Sequence, residues 1–144
     1  MELEYFQIRE DDTEILKQIK ETCLGITADN YDAVMFARYN RVYACVEGDT
    51  LVGCCIFVRD FAEQDKAFFY GVNMLRKDRN VMRKLIEISL NDLKESGIAK
   101  VEVFVDPENF RAVQVYRDVY GFEIKKAEDG EPEVGEYTVM VKAL

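Results

Sequence analysis

The stretch from residue 101 to residue 122, VEVFVDPENFRAVQVYRDVYGF, constrains the fold more than any other part of the chain. Val101, Val103 and Val105 alternate with Glu102 and Phe104, the period of a β-strand. Asp106-Pro107 stops that strand, because proline has no N–H to give a neighbour. Asn109 is a good helix N-cap: its side-chain oxygen can accept an N–H that a first turn leaves orphaned. Val113, Tyr116 and Tyr120 recur at helical spacing, and Asn109, Ala112 and Tyr116 fall near one face. Gly121-Phe122 leads into another strand. The stretch therefore reads as strand, tight loop, helix and strand.

A chain of 144 residues holds one domain, residues 1–144, with a substantial core. Apolar residues at 49% and charged residues at 33% are the balance of a water-soluble globular protein. The net charge of −9 argues against nucleic acid or an anionic membrane as the partner, and is compatible with a cationic amine. There is no histidine, so the commonest general base and the commonest metal ligand are both missing. Cys23, Cys45, Cys54 and Cys55 form no C-x-x-C pair, and no metal site is expected. Adjacent cysteines in an apolar strand point to reduced, mostly buried thiols in a cytoplasmic protein. No signal peptide, spanning run, repeat or linker is found in the sequence.

Taken in order, residues 3–8 are a strand candidate. Asp11 and Glu14 have capping-box spacing, and Ile15, Leu16, Ile19 and Cys23 mark a helix stripe ending near Gly25. Asp29-Asn30 can cap a second helix over residues 31–39. In residues 41–47, Val42, Ala44 and Val46 alternate with Tyr43 and Cys45, and Gly48-Asp49 is a turn. Residues 51–58 and 67–75 are apolar runs expected as central strands, with Gly71 marking a bulge or a close backbone approach. A basic turn precedes a helix over residues 80–96, with Met82, Leu85, Ile86, Leu90 and Leu93 inward and Gly97 ending it. After the opening stretch come a strand at 122–126, an acidic turn at 127–135 and a last strand at 137–141. The order is βααβββαβαββ, an α+β chain. The aromatic cluster of Phe57, Phe61, Phe68, Phe69 and Tyr70 reads as core on one face, or as the lining of an acceptor pocket.

Strand, Asn109, Ala112, Tyr116 and Gly121-Phe122 resemble the C-terminal half of the GCN5-related N-acetyltransferase family, and the likeness threads through nearly the whole chain. The resemblance implies an acyl-CoA N-acyltransferase fold: an α/β sandwich whose mixed, mostly antiparallel sheet carries helices on both faces. Hairpins join the middle strands, and the helix crossover makes the next pair parallel. It also implies acetyl-CoA as co-substrate, lying in a split between the fourth and fifth strands and contacted by Val72, Met74, Asn109 and Ala112. In the family, a loop reading R/Q-x-x-G-x-G/A cradles the pyrophosphate at a helix start. Here that loop is Lys77-Asp78-Arg79-Asn80-Val81-Met82, followed by Arg83: Lys77 replaces the Arg or Gln, and Asn80 and Met82 replace the glycines. Asn80 is the milder change, because asparagine tolerates left-handed backbone angles. Met82 leaves the amides available if it points to the core and blocks them if it points to the ligand. Arg76, Lys77, Arg79 and Arg83 concentrate positive charge here, which favours a phosphate-bearing ligand.

For catalysis the resemblance assigns Tyr116 as the acid for the departing thiolate, with Tyr120 as its rival, since Gly121 stands five positions after Tyr116 where four is commoner. A core tyrosine is the competing structural reading. A backbone N–H near Gly71-Val72-Asn73 would polarise the acetyl carbonyl. The fourth strand has no glutamate; Asn73 could hold a water there, and Glu102, Asp60 or Glu63 could serve as base through water. Cys54-Cys55 as a nucleophile lacks an activating histidine. Two functions follow. One is acetyl transfer from acetyl-CoA to a primary amine of a small molecule or protein, with the acidic stretches 60–65 and 128–136 hinting at a cation and the last strand at a homodimer. The other is a non-catalytic domain that binds a ligand or partner through a degenerate loop.

Overall fold

The structure, a computed structural model, describes residues 2–23, 30–60, 62–125 and 137–144, with Cys23 and residues 30–34 described only by their backbone. Its elements are β1 (Leu3–Gln7), α1 (Thr13–Cys23), α2 (Asn30–Tyr39), β2 (Asn40–Glu47), β3 (Thr50–Arg59), β4 (Lys66–Met74), α3 (Arg79–Glu95), β5 (Lys100–Val105), α4 (Phe110–Asp118), β6 (Glu123–Ile124) and β7 (Thr138–Ala143). The order is the one the sequence implies. Gly25, Asp29, Phe61 and residues 126–136, including the acidic turn, lie outside the described residues.

Seven strands form one sheet in the order β1-β2-β3-β4-β5-β7-β6. β1 to β4 are antiparallel neighbours, β4 and β5 are parallel across the α3 crossover, and β7 returns antiparallel between β5 and β6. Strand alternation divides the core in two. Tyr43, Cys45, Cys55, Phe57, Phe69, Val101 and Val103 face α3 and α4, where Leu85, Ile86, Leu93 and Phe122 close over them. Val42, Ala44, Val46, Cys54 and Ile56 face the other way, under Leu16 and Ile19 of α1. The Tyr43 hydroxyl donates to Asp92 Oδ2 at 2.6 Å and Arg41 lies 3.5 Å from the same carboxylate, fastening α3 to the sheet.

Two local expectations change. The carboxylate beside the start of α1 is Asp12, not Asp11: its carbonyl accepts from Leu16 N and its Oδ2 from Arg9 N, so the helix opens one residue later than a box on Asp11 would have it. The aromatic cluster does not share one face. Phe57 and Phe69 belong to the α3 side, whereas Phe68 is half-buried and Tyr70 exposed on the other, because the strand period places neighbours on opposite faces. No described helix is long and apolar enough to cross a membrane.

Candidate active site

β4 and β5 pair only over Lys66–Phe68 against Lys100–Glu102, although β4 runs on to Met74 and β5 to Val105. Beyond Phe68 the two strands part. A bulge in β4 accompanies the parting: Ile56 opposes Gly71 and Phe57 opposes Phe69, so Tyr70 is the extra residue. A bulge bends its strand and raises the local twist, turning β4 away from β5. A methyl group at Gly71 would meet nothing within 4 Å, so of the two roles expected there the bulge stands and a close approach by this chain's own atoms does not. Past Phe68, the edge of β4 that faces β5 has no strand partner among the described residues, which leaves main-chain groups for a ligand.

One side of the parting is a pocket of about 270 Å³ lined by Val72, Met82, Asn109, Ala112, Tyr116 and Tyr120, with Ile86, Arg111 and Val115 completing it. Asn109 is held there as the N-cap of α4, its Oδ1 accepting Ala112 N at 3.1 Å. Helical spacing then turns Ala112 and Tyr116 toward the same space. The Tyr116 ring packs edge-on against Phe69 and Phe122, and none of the described residues hydrogen-bonds its hydroxyl. Burial pushes the Tyr116 phenol above its ordinary value, helped by the nearby Cys55 and Tyr120. It therefore stays protonated throughout the neutral range. Tyr120 is buried and is also shifted upward, first by desolvation, with Arg83 pulling the other way. Met74 packs against the same core without lining the pocket, and Asn73, between Val72 and Met74, points to the opposite face.

The start of α3 differs from a glycine loop. The helix begins at Arg79, so Asn80 and Met82 already have helical backbone, and no described non-glycine residue has positive φ. The tolerance of asparagine for left-handed angles is not used. Asp78 is the N-cap: its Oδ1 accepts from Asn80 N at 3.0 Å and from Val81 N at 3.2 Å. A carboxylate thus occupies two amides that a phosphate would seek. Val81 is buried beneath them, and Met82 is half-buried, touching the core and lining the pocket rim. Among the basic residues, Arg76 pairs with Glu47 at 3.3 Å and Lys84 lies over the Tyr5 ring, while Lys77, Arg79 and Arg83 form no ion pair among the described residues. Arg83 also lines an adjoining cavity of about 560 Å³ with Glu87, Tyr120 and Lys142. For acetyl-CoA the fit is unequal: the Asn109–Tyr116 side offers a narrow, mostly apolar slot suited to a pantetheine arm, and the α3 side offers side-chain cations in place of an open amide cradle.

The three carboxylates weighed as bases belong to one ionic cluster instead. Lys66 Nζ lies 3.0 Å from Asp60, 2.9 Å from Glu63 and 3.6 Å from Glu102; Lys100 reaches Glu63 and Lys125 reaches Glu102. Burial opposes ionisation of Asp60, but Lys66 and the amides of Ala62 and Glu63 outweigh it and hold the carboxyl below its ordinary value. Glu63 is lowered by its bonds to Lys66 and Lys100. Carboxylates so stabilised are poor bases.

Sequence reasoning missed Asp78, Ile86, Arg111 and Val115. Asp78 was readable as an aspartate ahead of an apolar helical run; Ile86 sits four residues after Met82, and Val115 four after Arg111, each extending a face already marked.

The family model described as the acetyltransferase (GNAT) family matches residues 5–122. No curated protein sequence matches the chain. Among solved structures, an acetyltransferase of the GNAT family from Streptococcus pneumoniae superposes with a TM-score of 0.73 at 15% identity, covering 99% of this chain and 100% of that one. PaiA N-acetyltransferase from Thermoplasma acidophilum, in complex with coenzyme A, gives 0.68 at 14% identity, with all of both chains covered. YncA from Salmonella typhimurium, solved with its cofactor acetyl-CoA, gives 0.69 at 13% identity, covering 98% of this chain and 93% of that one. At such identities the superpositions speak for the fold, and the family match over most of the sequence speaks for descent: the chain belongs to the acetyltransferase (GNAT) family.

Proposed function

We propose that the protein is an acetyl-CoA-dependent N-acetyltransferase acting on a primary amine in the cytoplasm. The observation that carries this reading is the convergence of Asn109, Ala112, Tyr116 and Val72 on one pocket at the parting of β4 and β5. Family membership and relatives solved with coenzyme A or acetyl-CoA support the choice of co-substrate. Buried free thiols at Cys45 and Cys55 support a reducing compartment.

Acetyl-CoA supplies the acyl group as an activated thioester. Asn109 and Ala112 line the slot for its arm, and the unpaired edge of β4 offers N–H groups to the acyl oxygen, where they favour developing negative charge. Tyr116 holds the proton that the departing sulfur requires; its raised pKa keeps that proton in place until the sulfur becomes basic. Since Asp60, Glu63 and Glu102 are engaged with lysines, the amine loses its proton to water, with Asn73 on the acceptor face able to hold that water.

One observation favours the second reading, a binding domain without catalysis: the Asp78 carboxylate on the amides of Asn80 and Val81. Calorimetric titration with acetyl-CoA, followed by an amine screen with detection of the released thiol, separates the two. Binding of acetyl-CoA, together with thiol release that Tyr116→Phe lowers by about 100-fold or more, supports the enzyme. No binding at millimolar acetyl-CoA refutes it.

A further inference from the structure

The side of the parting opposite Tyr116 carries no helix among the described residues. α1 covers that face of the sheet over β2 and β3 only. Over β4 and β5 it presents a hollow of about 510 Å³ lined by Val58, Phe68, Phe69, Tyr70 and Phe104. Tyr70 is 66% exposed and Phe104 44% exposed, with the Phe104 ring edge-on to Phe68 at 5.7 Å. Resting on the acetyltransferase reading above, we propose that this hollow receives the body of the amine acceptor, and that the acceptor is a small primary amine with an apolar, aromatic-sized body rather than a polycation.

Three observations select that occupant. The hollow borders the acyl site: Phe69, the first residue of β4 beyond the paired segment, lines the hollow and also packs on Tyr116 with ring centroids 6.1 Å apart. A molecule lying on Phe68 and Tyr70 therefore has its polar end at the gap between the strands. The charges beside the hollow cancel. Three ammonium groups, Lys66, Lys100 and Lys125, meet three carboxylates, Asp60, Glu63 and Glu102, and Lys66 Nζ already sits 5.1 Å from the centre of the Phe68 ring. A polycation would find no unpaired carboxylate in this cluster, so the cluster does not select for one. The size also fits: small-molecule sites are typically about 300–1,000 Å³ and mostly apolar, whereas a stable protein interface takes roughly 20–30 residues a side against the five here. The exposed faces of Tyr70 and Phe104 can hold an apolar ring and can also attract the ammonium as it approaches.

The test uses the full chain and two probes, 2-phenylethylamine and 1,4-diaminobutane, each titrated by saturation-transfer NMR and assayed for acetyl transfer. Burying one ring against the hollow should favour 2-phenylethylamine by about tenfold or more in Kd and in KM. The double variant Tyr70→Ser/Phe104→Ser changes two exposed side chains, so it should fold, erase that preference and leave the acetyl-CoA Kd within about twofold. Equal or reversed affinities, a preference that survives in the double variant, or a dimer in sedimentation that the double variant dissolves would each overturn the proposal. Acetyl-CoA binding is read in a separate titration. Its failure strikes the acetyltransferase reading, while the amine preference is judged on its own.

Discussion

Replacing Asp78 by glycine should weaken the fold slightly and tighten acetyl-CoA binding, two effects of opposite sign from one carboxylate. Asp78 Oδ1 satisfies Asn80 N and Val81 N at the start of α3. Substituting glycine at an N-cap costs only a few tenths of a kcal/mol, about one degree in Tm for a chain of this size. The ligand term is larger. A carboxylate about 5 Å from a phosphate charge repels it by about 0.8 kcal/mol in water, and by about half that at physiological salt. Two phosphate charges then give about 1 kcal/mol, to which the two released amides add hydrogen bonds to an anion. A total of about 1.5 kcal/mol predicts about tenfold tighter binding. Calorimetry on the two proteins reads the change directly, with 3′,5′-ADP and pantetheine as partial ligands to locate it. The gain should weaken as salt is raised and should be absent for pantetheine. An acetyl-CoA Kd that is unchanged or weaker in Asp78→Gly would refute the reasoning, because the phosphates would then lie away from the α3 amides.

Tyr116→Phe should lower kcat by about 100-fold or more while leaving the acetyl-CoA Kd unchanged, and Tyr120→Phe should leave kcat within a few-fold, as stopped-time thiol assays would show. Because burial raises the Tyr116 pKa, any fall in kcat from loss of its proton should appear only above about pH 10, and an alkaline limb nearer neutrality would assign that role elsewhere. Lys66→Met strips Asp60 and Glu102 of a shared, nearly buried ammonium and should cost about 2–3 kcal/mol, or about 6–9 °C in Tm by calorimetry. Asp60 and Glu63 have lowered folded-state values, so their contribution is present above the unfolded carboxylate range near pH 4 and is lost as pH falls through the folded values below it. Lys66 is raised, so its contribution holds below about pH 10 and fades only above that, and acid melts of Lys66→Met should be flatter below pH 4 than those of the parent.

How much of this was legible before the structure depends on whether a residue's role is local. The alternation of Val42, Ala44 and Val46 against Tyr43 and Cys45 predicted the division between the two cores, because a strand has one period and two faces. Asn109 predicted its own cap and, through helical spacing, the company of Ala112 and Tyr116. Gly71 announced a bulge within one residue of where Tyr70 forms it. Where sequence reasoning failed, two signals competed or the partners were distant. The segment 77–82 was laid on a glycine loop, and that alignment hid the plain capping preference of Asp78. Asp60, Glu63 and Glu102 stood as candidate bases because Lys66, Lys100 and Lys125, which neutralise them, come together only when β4, β5 and the turn before β4 meet.

The same geometry explains why the two halves of the site can vary separately. The slot between Val72 and Tyr116 depends on the parting of β4 from β5 and on the cap of α4, both fixed by backbone pairing and by Asn109. The start of α3 depends on Asp78 alone, a side chain exposed at the end of a helix whose buried stripe of Val81, Leu85, Ile86, Leu90 and Leu93 anchors it independently. Exchanging a glycine loop for an aspartate cap therefore leaves the core unaltered and changes only what an anion meets on arrival. The cations at Lys77, Arg79 and Arg83 offset part of that change by long-range attraction, which is screened by salt in a way that backbone amide bonds at short range are not. Affinity for a phosphate-bearing ligand in this chain should accordingly fall more steeply with ionic strength than in a relative with an open glycine cradle. Equal salt slopes would mean that the amides, and not the side chains, still carry the contact.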